Sequence, residues 1–275
     1  MDVLLLEWRF PIDCRNFGIS NDDPNYQPDW DRQVELLNHY RDTDTKIIFW
    51  DLDHKLTFED EYKWQPDAIF ETSVNPVLKH IKRTRVEPPI VIDDLLQFKT
   101  VPCNPKRKLV YVGSRYERDD VIEEWIKPVS DRFPDEVEFW GNWLKEQTLT
   151  ECKKMWPNIS YNKRITMNDF YDVYSTAVAC PILAKQSYLE SGFITTRPWE
   201  ALMFGTIPIG LSSHTGIKDY CEVIAEDASD MSALVGYLSK VSPRERGKIR
   251  KDNIEKIRFM DVSNFINKIE DVANA

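Results

Sequence analysis

The sequence predicts an α/β protein with two Rossmann-like domains, each built on a parallel sheet covered by helices on both faces. Short apolar runs alternate with helical segments in both halves of the 275-residue chain, and a stretch rich in proline and basic residues at 101–108 separates the halves. The length also approaches the roughly 250–300 residues at which a single core stops growing. We therefore expect a first domain over 1–104, a second over 105–241, and C-terminal helices over 242–275 that pack back toward the first domain.

The first half contains one predicted helix and four predicted strands. The helix begins at Asp29, a favourable N-cap residue, and carries Val34, Leu37 and Tyr40 at helical spacing. Each strand is a short apolar run bounded by polar residues, as is typical of buried parallel strands. The predicted strands cover residues 3–6, 46–50, 68–71 and 89–92.

The second half repeats this alternation. It opens with a strand over 108–112 that ends in a turn at Gly113, and a helix over 120–126 is expected to end before Pro128. Ser242 is the expected N-cap of the terminal helices, with proline in their first turn. The other predicted elements are strands over 137–140, 178–183, 207–211 and 223–225 and a helix over 168–176.

The composition argues against several classes of protein. The five cysteines are widely spaced without a Cys-x-x-Cys pair, which argues against a disulfide framework and a zinc site, and there are only four histidines. The N-terminal apolar run is too short for a signal peptide, and the positively charged residues that precede such a run are missing. No run approaches the roughly 20 apolar residues of a membrane span. We expect a cytoplasmic protein without a membrane anchor and without a bound metal.

The net charge of −10 disfavours indiscriminate binding to nucleic acid, whose phosphates dominate such affinity. A local basic groove is still compatible with this charge. Basic residues cluster between Lys79 and Arg85, and the segment 242–258 contains seven basic residues against three acidic ones. The alternative is that these clusters are solvated helix faces.

Three polar residues follow the predicted strand at 46–50, namely Asp51, Asp53 and His54. Ligands of parallel α/β sheets bind beyond the carboxyl ends of the strands. Two carboxylates and an imidazole at such a position predict an acid–base site. The alternative is that the two aspartates cap a turn and that the histidine is incidental.

A glycine turn follows the first strand of the second half. Gly113 permits close approach of the backbone to a ligand, and the nearby Arg115 and Arg118 carry charges that can neutralise a diphosphate. A single strand–glycine–helix junction is weak evidence for a diphosphate site. The prediction therefore depends on other residues of the same domain that can bind phosphate.

Such residues occur where the short helix of the segment 191–210 is predicted to begin. Backbone N–H groups at a helix N-terminus lack partners, and together with Arg197 they predict a pocket for a diphosphate. The carboxylate of Glu200, one turn further on, can bind the two hydroxyls of a ribose. The alternatives are a surface salt bridge for Arg197 and a carboxylate favoured by the helix dipole for Glu200.

Four motifs stand out in this part of the chain: YVGSRYER at 111–118, FWGNW at 139–143, NDFYDVY at 168–174 and TRPWEALMFGTIPI at 196–209. Through them, residues 108–226 resemble the nucleotide-binding half of GT-B glycosyltransferases, in particular the compact bacterial and phage branch that includes spore-maturation glycosyltransferase-like proteins. The resemblance implies a GT-B fold with two Rossmann-like domains facing across a cleft. It also implies that Arg197 and Arg118 bind the diphosphate of a nucleotide-sugar and that Glu200 binds its ribose.

One position departs from the pattern of the family. Many retaining members carry a second glutamate eight residues before the ribose-binding one, and that position is Gly192 here. The stereochemical outcome therefore stays open. GT-B enzymes generally act without a bound metal, so the resemblance implies that no cofactor is required. It also implies a UDP-linked sugar as co-substrate.

The resemblance implies transfer of a sugar from this donor to a hydroxyl group. In an inverting reaction Asp53 or His54 would accept the proton of the acceptor. The compact size and the basic clusters favour a phage enzyme that glycosylates hydroxymethylated pyrimidines in double-stranded DNA in the host cytoplasm. The alternatives are a bacterial envelope, spore-coat or protein glycosyltransferase, and a nucleotide-sugar-binding protein without catalysis.

Overall fold

The computed structural model describes residues 2–8, 22–26, 29–97 and 105–275. Cys14, Cys103 and the first part of the predicted linker, 101–104, lie outside the described residues. The chain forms two compact units: unit 1 comprises Met1–Glu87 with Ser263–Ala275, and unit 2 comprises Pro88–Val262. The division thus falls at Glu87, and the last residues of the chain belong to unit 1.

Unit 1 is built on a parallel sheet with the strand order β1-β2-β3-β4. Its strands are β1 (Val3–Glu7), β2 (Lys46–Trp50), β3 (Ala68–Glu71) and β4 (Arg83–Arg85), and its helices are α1 (Asp29–Tyr40), α2 (Phe58–Trp64) and α12 (Val262–Asn274). Parallel neighbours need a crossover connection, and α1 and α2 supply the first two. The strand order therefore follows the order of the chain.

The two faces of this sheet bury different side chains, because successive residues of a strand point to opposite faces. Phe49 packs with Leu37 of α1, whereas Ile48 packs with Phe265 of α12. The Phe265 ring also lies 5.5 Å from the Phe70 ring, measured between centroids. The C-terminal helix thus covers the face that α1 does not.

Unit 2 contains a six-stranded parallel sheet with the order β10-β9-β8-β5-β6-β7. Its strands are β5 (Arg107–Val112), β6 (Val137–Trp140), β7 (Ile159–Asn162), β8 (Ala177–Pro181), β9 (Ile207–Leu211) and β10 (Ile224–Ala225). The order reverses between β5 and β8, which are neighbours in the sheet but not in the chain. Open α/β sheets bind ligands at such a point.

Helices cover both faces of this sheet. They are α3 (Ile92–Gln97), α4 (Asp119–Val121), α5 (Lys127–Arg132), α6 (Glu146–Met155), α7 (Phe170–Tyr174), α8 (Gln186–Ser191), α9 (Arg197–Met203), α10 (Ala228–Leu238) and α11 (Pro243–Lys256). On β5, Leu109 packs with Ile122 on one face and Val110 packs with Tyr174 on the other. In the part of the chain that the structure describes, every helix is too short or too polar to cross a membrane.

The predicted α/β class with parallel sheets is confirmed, but the strand predicted over 89–92 is wrong. Only Ile90 forms an isolated bridge there. Pro88 and Pro89 lack the N–H groups that a sheet ladder requires. The fourth strand is instead β4, whose basic side chains are half-buried at the edge of the sheet.

The helix predicted over 120–126 continues beyond its predicted end. A π-helical turn, Ile122–Ile126, leads directly into α5, and Pro128 lies in the first turn of α5. The fixed φ of proline, about −65°, is already that of a helix, which suits this position at the start of α5. The predicted N-cap at Ser242 is confirmed: its hydroxyl accepts a hydrogen bond from the Glu245 backbone N–H at 3.2 Å.

Candidate functional site

A cavity of about 350 Å³ lies at the carboxyl ends of β5, β8 and β9 in unit 2. Of the five residues predicted to bind the nucleotide-sugar, four line this cavity: Gly113, Arg118, Arg197 and Glu200. The fold thus brings together the glycine turn after β5 and the first turn of α9, which are distant in sequence.

Helix α9 places Arg197 and Glu200 on the cavity wall. The helix begins with Arg197 and Pro198, and Gly205, with φ of 91°, follows its last turn. Trp199 is buried on the core side of this short helix. Arg197 and Glu200, three residues apart, therefore share the other side.

Arg197 and Glu200 form an ion pair. Arg197 Nη1 donates to Glu200 Oε2 at 2.8 Å, and the guanidinium lies over the Phe170 ring, 5.2 Å from its centroid. The side chain of Arg197 is 48% exposed and that of Glu200 24%. The salt bridge expected as the alternative role of Arg197 is therefore present, and both of its members line the cavity.

A second cavity, of about 710 Å³, shares part of its wall with the first. Gly113, Ser114, Arg197 and Glu200 line both cavities, and Phe170 lines the second. Ligand pockets in proteins typically measure about 300–1,000 Å³. The two cavities are therefore of a suitable size for one elongated ligand, with the Arg197–Glu200 pair at their boundary.

Close packing fixes the turn after β5. A Cβ atom at Gly113 would lie 2.3 Å from Tyr111 Oη. The Gly113 carbonyl accepts a hydrogen bond from Trp143 Nε1 at 2.8 Å, and a Cβ atom at Gly141, whose φ is 151°, would lie 2.0 Å from the same carbonyl oxygen. The motif at 139–143 thus holds the glycine turn in place.

Arg118 lies immediately before α4, at the edge of the cavity. Its Nη1 donates to the Tyr116 carbonyl at 2.7 Å, and its Nε is buried without a hydrogen-bond partner among the described residues. Burial raises the pKa of Tyr111, whereas the charges of Arg118 and Arg197 act in the opposite direction. Both guanidiniums also line the first cavity, where each offers charged donors to an anion.

Arg115 is directed elsewhere. Its Nη2 donates to Asp119 Oδ2 at 2.6 Å and its Nη1 to Glu151 Oε2 at 2.5 Å, and these bonds raise its pKa. It lines a separate open pocket with residues of α8. Among the predicted donor-binding residues, Arg115 is the one that the structure does not bring to the cavity.

The three predicted acid–base residues lie in unit 1, and each of them contacts other groups of that unit. The buried carboxylate of Asp51 accepts hydrogen bonds from the backbone N–H groups of Lys55 and Leu56 at 2.8 and 3.1 Å. Burial raises the pKa of Asp51, and these two bonds oppose the effect. Asp53 pairs with Lys55 Nζ at 3.0 Å. The backbone bonds of Asp51 match the alternative role of an aspartate that caps a turn, whereas Asp53 forms a side-chain ion pair.

His54 belongs to a polar cluster with Glu71 and Ser73. Its Nε2 lies 2.6 Å from Ser73 Oγ and 3.1 Å from Glu71 Oε1, and Arg83 Nε donates to Glu71 Oε2 at 2.7 Å. Burial by itself raises the pKa of Glu71, but hydrogen bonds from His54, Ser73 and Arg83 outweigh it and lower the pKa to about 2. Glu71 is therefore ionised at neutral pH and can orient the imidazole.

Sequence reasoning missed Glu71, and it also missed His214 in unit 2. Glu71 ends the strand next to β2, so its position beside His54 follows from the sheet order. His214 follows β9, lines the first cavity and is 2% exposed. Burial lowers its pKa to about 4, although the Phe193 backbone favours the charged form, so the imidazole is neutral at pH 7.

The charged groups of the two cavities favour an anion over a metal ion. The cavities contain one carboxylate, that of Glu200, together with the guanidiniums of Arg118, Arg164 and Arg197. Across the described residues, no group of three or more His, Cys, Asp and Glu side chains is placed to hold a metal. The protein groups therefore do not fit a divalent cation.

Several solved structures with a similar fold are glycosyltransferases. A DNA-modifying β-glucosyltransferase, solved with and without its substrate uridine diphosphoglucose, has a TM-score of 0.64 and 17% identity over 88% of this chain and 78% of that one. The T4 phage β-glucosyltransferase in complex with UDP and Mn²⁺ has a TM-score of 0.62 and 15% identity over 99% and 82%. Anabaena HepE in complex with UDP-glucose has a TM-score of 0.58 and 9% identity over 90% and 77%.

No protein-family model and no curated protein matches the chain. At identities of 9–17%, the structural likeness defines the fold. The fold is that of the GT-B nucleotide-sugar glycosyltransferases, and the prediction of this fold from the sequence is confirmed.

Proposed function

We propose that the protein is a glycosyltransferase that moves a sugar from a nucleoside diphosphate, with UDP as the first choice, to a hydroxyl group. The observation that carries this proposal is the convergence of Arg118, Arg197 and Glu200 on one cavity beside the Gly113 turn. Guanidinium groups match the geometry of phosphate oxygens. The complexes of similar structures with UDP-glucose support the same class of donor.

The donor is expected to occupy both cavities. Arg118 and Arg197 would bind the diphosphate, and Glu200, at the boundary, would bind the ribose hydroxyls. The larger cavity, lined by Asn142 and Phe170, offers an amide and an aromatic ring to the base. On binding, phosphate and ribose oxygens would replace the bond between Arg197 and Glu200.

The chemistry follows from the charge that develops on the leaving group. An acceptor oxygen forms a bond to the anomeric carbon while the bond from that carbon to the β-phosphate oxygen breaks. Arg118 and Arg197 would stabilise the negative charge on the departing diphosphate. In an inverting reaction we assign the acceptor proton first to His54, because the ionised carboxylate of Glu71 can orient its imidazole and stabilise the protonated ring.

Donor binding by variants tests this assignment. R197A should raise the dissociation constant for UDP-glucose at least about tenfold, since a charge-assisted hydrogen bond contributes about 1.5–3 kcal/mol. R115A is the matched control, because Arg115 is bonded to Asp119 and Glu151 away from both cavities, and it should change binding less than about twofold. Equal losses in the two variants would contradict the assignment.

The alternative without catalysis is tested by turnover. A glycosyltransferase should release UDP from UDP-glucose when acceptor is present, and H54A should slow this release far more than it weakens donor binding. Wild-type protein that binds the donor but releases no UDP with any acceptor would instead be a nucleotide-sugar-binding protein.

We propose double-stranded DNA with hydroxymethylated bases as the acceptor, on which a phage-encoded enzyme would act in the host cytoplasm. Arg244, Lys248 and Lys251 form an exposed stripe on α11, and none of them makes an ion pair within the described chain. Such a stripe on a protein of net charge −10 is suited to a phosphate backbone. The similarity to a DNA-modifying β-glucosyltransferase favours this acceptor over an envelope polymer.

DNA binding at several salt concentrations tests the acceptor. Replacing Arg244, Lys248 and Lys251 by alanine should weaken binding to a duplex and reduce the slope of log K against log salt by about 3, or roughly 0.9 for each phosphate contact. The control replaces the exposed Lys145, Lys153 and Lys154 near α6, which removes the same charge elsewhere in unit 2. Equal effects of the two triple variants would mean that DNA binding depends on the net charge of the protein and not on the stripe on α11.

A further inference from the structure

Arg250 of α11 is buried, with 7% of its surface exposed, and its guanidinium binds three backbone carbonyls. Nε donates to the Leu202 carbonyl at 2.7 Å, and Nη2 donates to the Met203 carbonyl at 3.3 Å and also to the Leu95 carbonyl. These contacts join three segments that are far apart in the chain.

All three carbonyls lie at the C-terminal ends of helices. Leu202 and Met203 are the last two residues of α9, and Leu95 lies in the last turn of α3. The last four carbonyls of a helix have no partner within it and carry the negative end of the helix dipole. Arg250 therefore caps two helices at once with a single positive charge.

The guanidinium of Arg250 has no carboxylate partner among the described residues. Burying an arginine without a counter-ion is costly unless its donors are satisfied. Here the carbonyl dipoles take the place of the counter-ion. The arrangement therefore depends on α9 and α3 ending at these positions.

Helix α9 has little intrinsic stability to hold its position. It is seven residues long, and its N-cap, Thr196, makes no side-chain capping bond. Isolated helices shorter than about 12–15 residues are marginal in water, so contacts with the rest of the fold must hold this one. Trp199 and Leu202 pack against Ile254 and Ile257, which follow Arg250 in the chain.

We infer that Arg250 is a positioning residue for the donor site: by binding the C-terminal carbonyls of α9, it sets the place of Arg197 and Glu200 on the cavity wall. The effect of Arg250 on donor binding rests on the proposed function, whereas its effect on the position of α9 does not. Lysine cannot reproduce it, because a single ammonium cannot direct the fork of donors that contacts three carbonyls.

The chain contains a matched control one turn earlier on the same helix. Arg246 is also buried, at 3% exposure, and its Nη2 donates to the Leu238 carbonyl at 3.0 Å. Leu238 ends α10, which contributes no residue to either cavity. Replacing Arg246 thus removes a buried arginine and a contact with the end of α10.

The test compares R250M with R246M by hydrogen exchange and by titration with UDP-glucose. R250M should speed amide exchange in 198–206 at least tenfold and raise the dissociation constant for UDP-glucose at least tenfold, whereas R246M should change both less than threefold. R250K should lose donor affinity as R250M does, which serves as the second variant should R250M fold poorly. Methylguanidinium should partly restore donor binding to R250A and should leave donor binding by R246A unchanged.

Similar exchange in 198–206 for R250M and wild type, or equal effects of R250M and R246M, would overturn the inference. Failure of the wild-type protein to bind any nucleotide-sugar would instead count against the proposed function. In that case the exchange measurement alone still decides the role of Arg250.

Discussion

Arg197 Nη1 and Glu200 Oε2 are hydrogen-bonded at 2.8 Å, one helical turn apart, on the wall shared by two cavities. A diphosphate and a ribose must replace this bond if the two residues bind a nucleotide-sugar. An ion pair as exposed as this one contributes at most about 1 kcal/mol to stability. Breaking it therefore takes little from the free energy of donor binding.

The two members of the pair should therefore differ in what they recognise. R197A is expected to weaken binding of UDP and of pyrophosphate, because both carry the diphosphate. E200Q is expected to weaken binding of UDP but not of pyrophosphate, because only UDP has ribose hydroxyls and the guanidinium is left free. Calorimetric titration of each variant with both ligands measures this. Parallel losses for the two ligands in E200Q would contradict the ribose role.

Gly141 should be intolerant of a side chain. A Cβ atom there would lie 2.0 Å from the Gly113 carbonyl oxygen, and the φ of 151° is unfavourable for other residues. We expect G141A to lower the free energy of unfolding by about 1–3 kcal/mol and to abolish donor binding by displacing the turn after β5. Urea unfolding and titration with UDP-glucose measure the two effects.

Gly236 supplies the control for that substitution. It lies in α10, and a Cβ atom there would have its nearest neighbour, Phe133 Cζ, at an ordinary 3.4 Å. G236A should therefore stabilise the protein by roughly 0.5–1 kcal/mol, the usual preference of a helix for alanine over glycine. Equal behaviour of the two variants would mean that the close approach at Gly113 does not constrain the turn.

Glu71 should make stability depend on pH in the acid range. Its pKa in the folded protein is about 2, below the 4.5 of an ordinary glutamate, so the folded state favours the ionised form. The resulting stabilisation of about 3 kcal/mol is fully present above pH 4.5 and is lost as the pH falls toward 2. In E71Q the loss of stability between pH 4.5 and 2 should be smaller by this amount, as measured by urea unfolding at each pH.

His214 should act in a separate pH window. Its pKa is about 4 in the folded protein against 6.5 for an ordinary histidine, so the unfolded chain takes up the proton first. Stability is therefore retained above pH 6.5 and falls by about 3 kcal/mol as the pH decreases toward 4. H214F, which keeps an aromatic ring without a titrating group, should remove this dependence. If H214F and the wild-type protein lose the same stability between pH 6.5 and 4, the imidazole of His214 is not held neutral in the folded protein.

The strands show why part of the fold could be predicted from local sequence. The predicted ranges for β2, β3 and β9 match the structure, because these strands are buried and their apolar runs are continuous. β4 was missed because its residues are Arg-Thr-Arg, and a three-residue edge strand needs no apolar run. The backbone pairing of β4 with β3 depends on residues outside β4, so its own composition carries no signal of it.

The candidate site shows the same division. The proximity of Arg197 and Glu200 was predictable, because the spacing of three residues on a helix fixes it. The different orientations of Arg115 and Arg118 were not, because Arg115 is held by Glu151, which is distant in the chain. The cluster of His54 with Glu71 likewise joins the ends of two strands whose pairing the composition does not specify.

The sequence by itself determined the alternation of strands and helices, the short helix with its arginine and glutamate, and the turn at Gly113, because each depends on neighbours within a few residues. Only the tertiary structure decided which charged groups meet in the cavity, which arginines form internal contacts instead, and that Arg250 binds the C-terminal carbonyls of α9. The physical reason is that the direction of a charged side chain is set by its partners, and in this protein those partners come from other elements of the sheet and its helices.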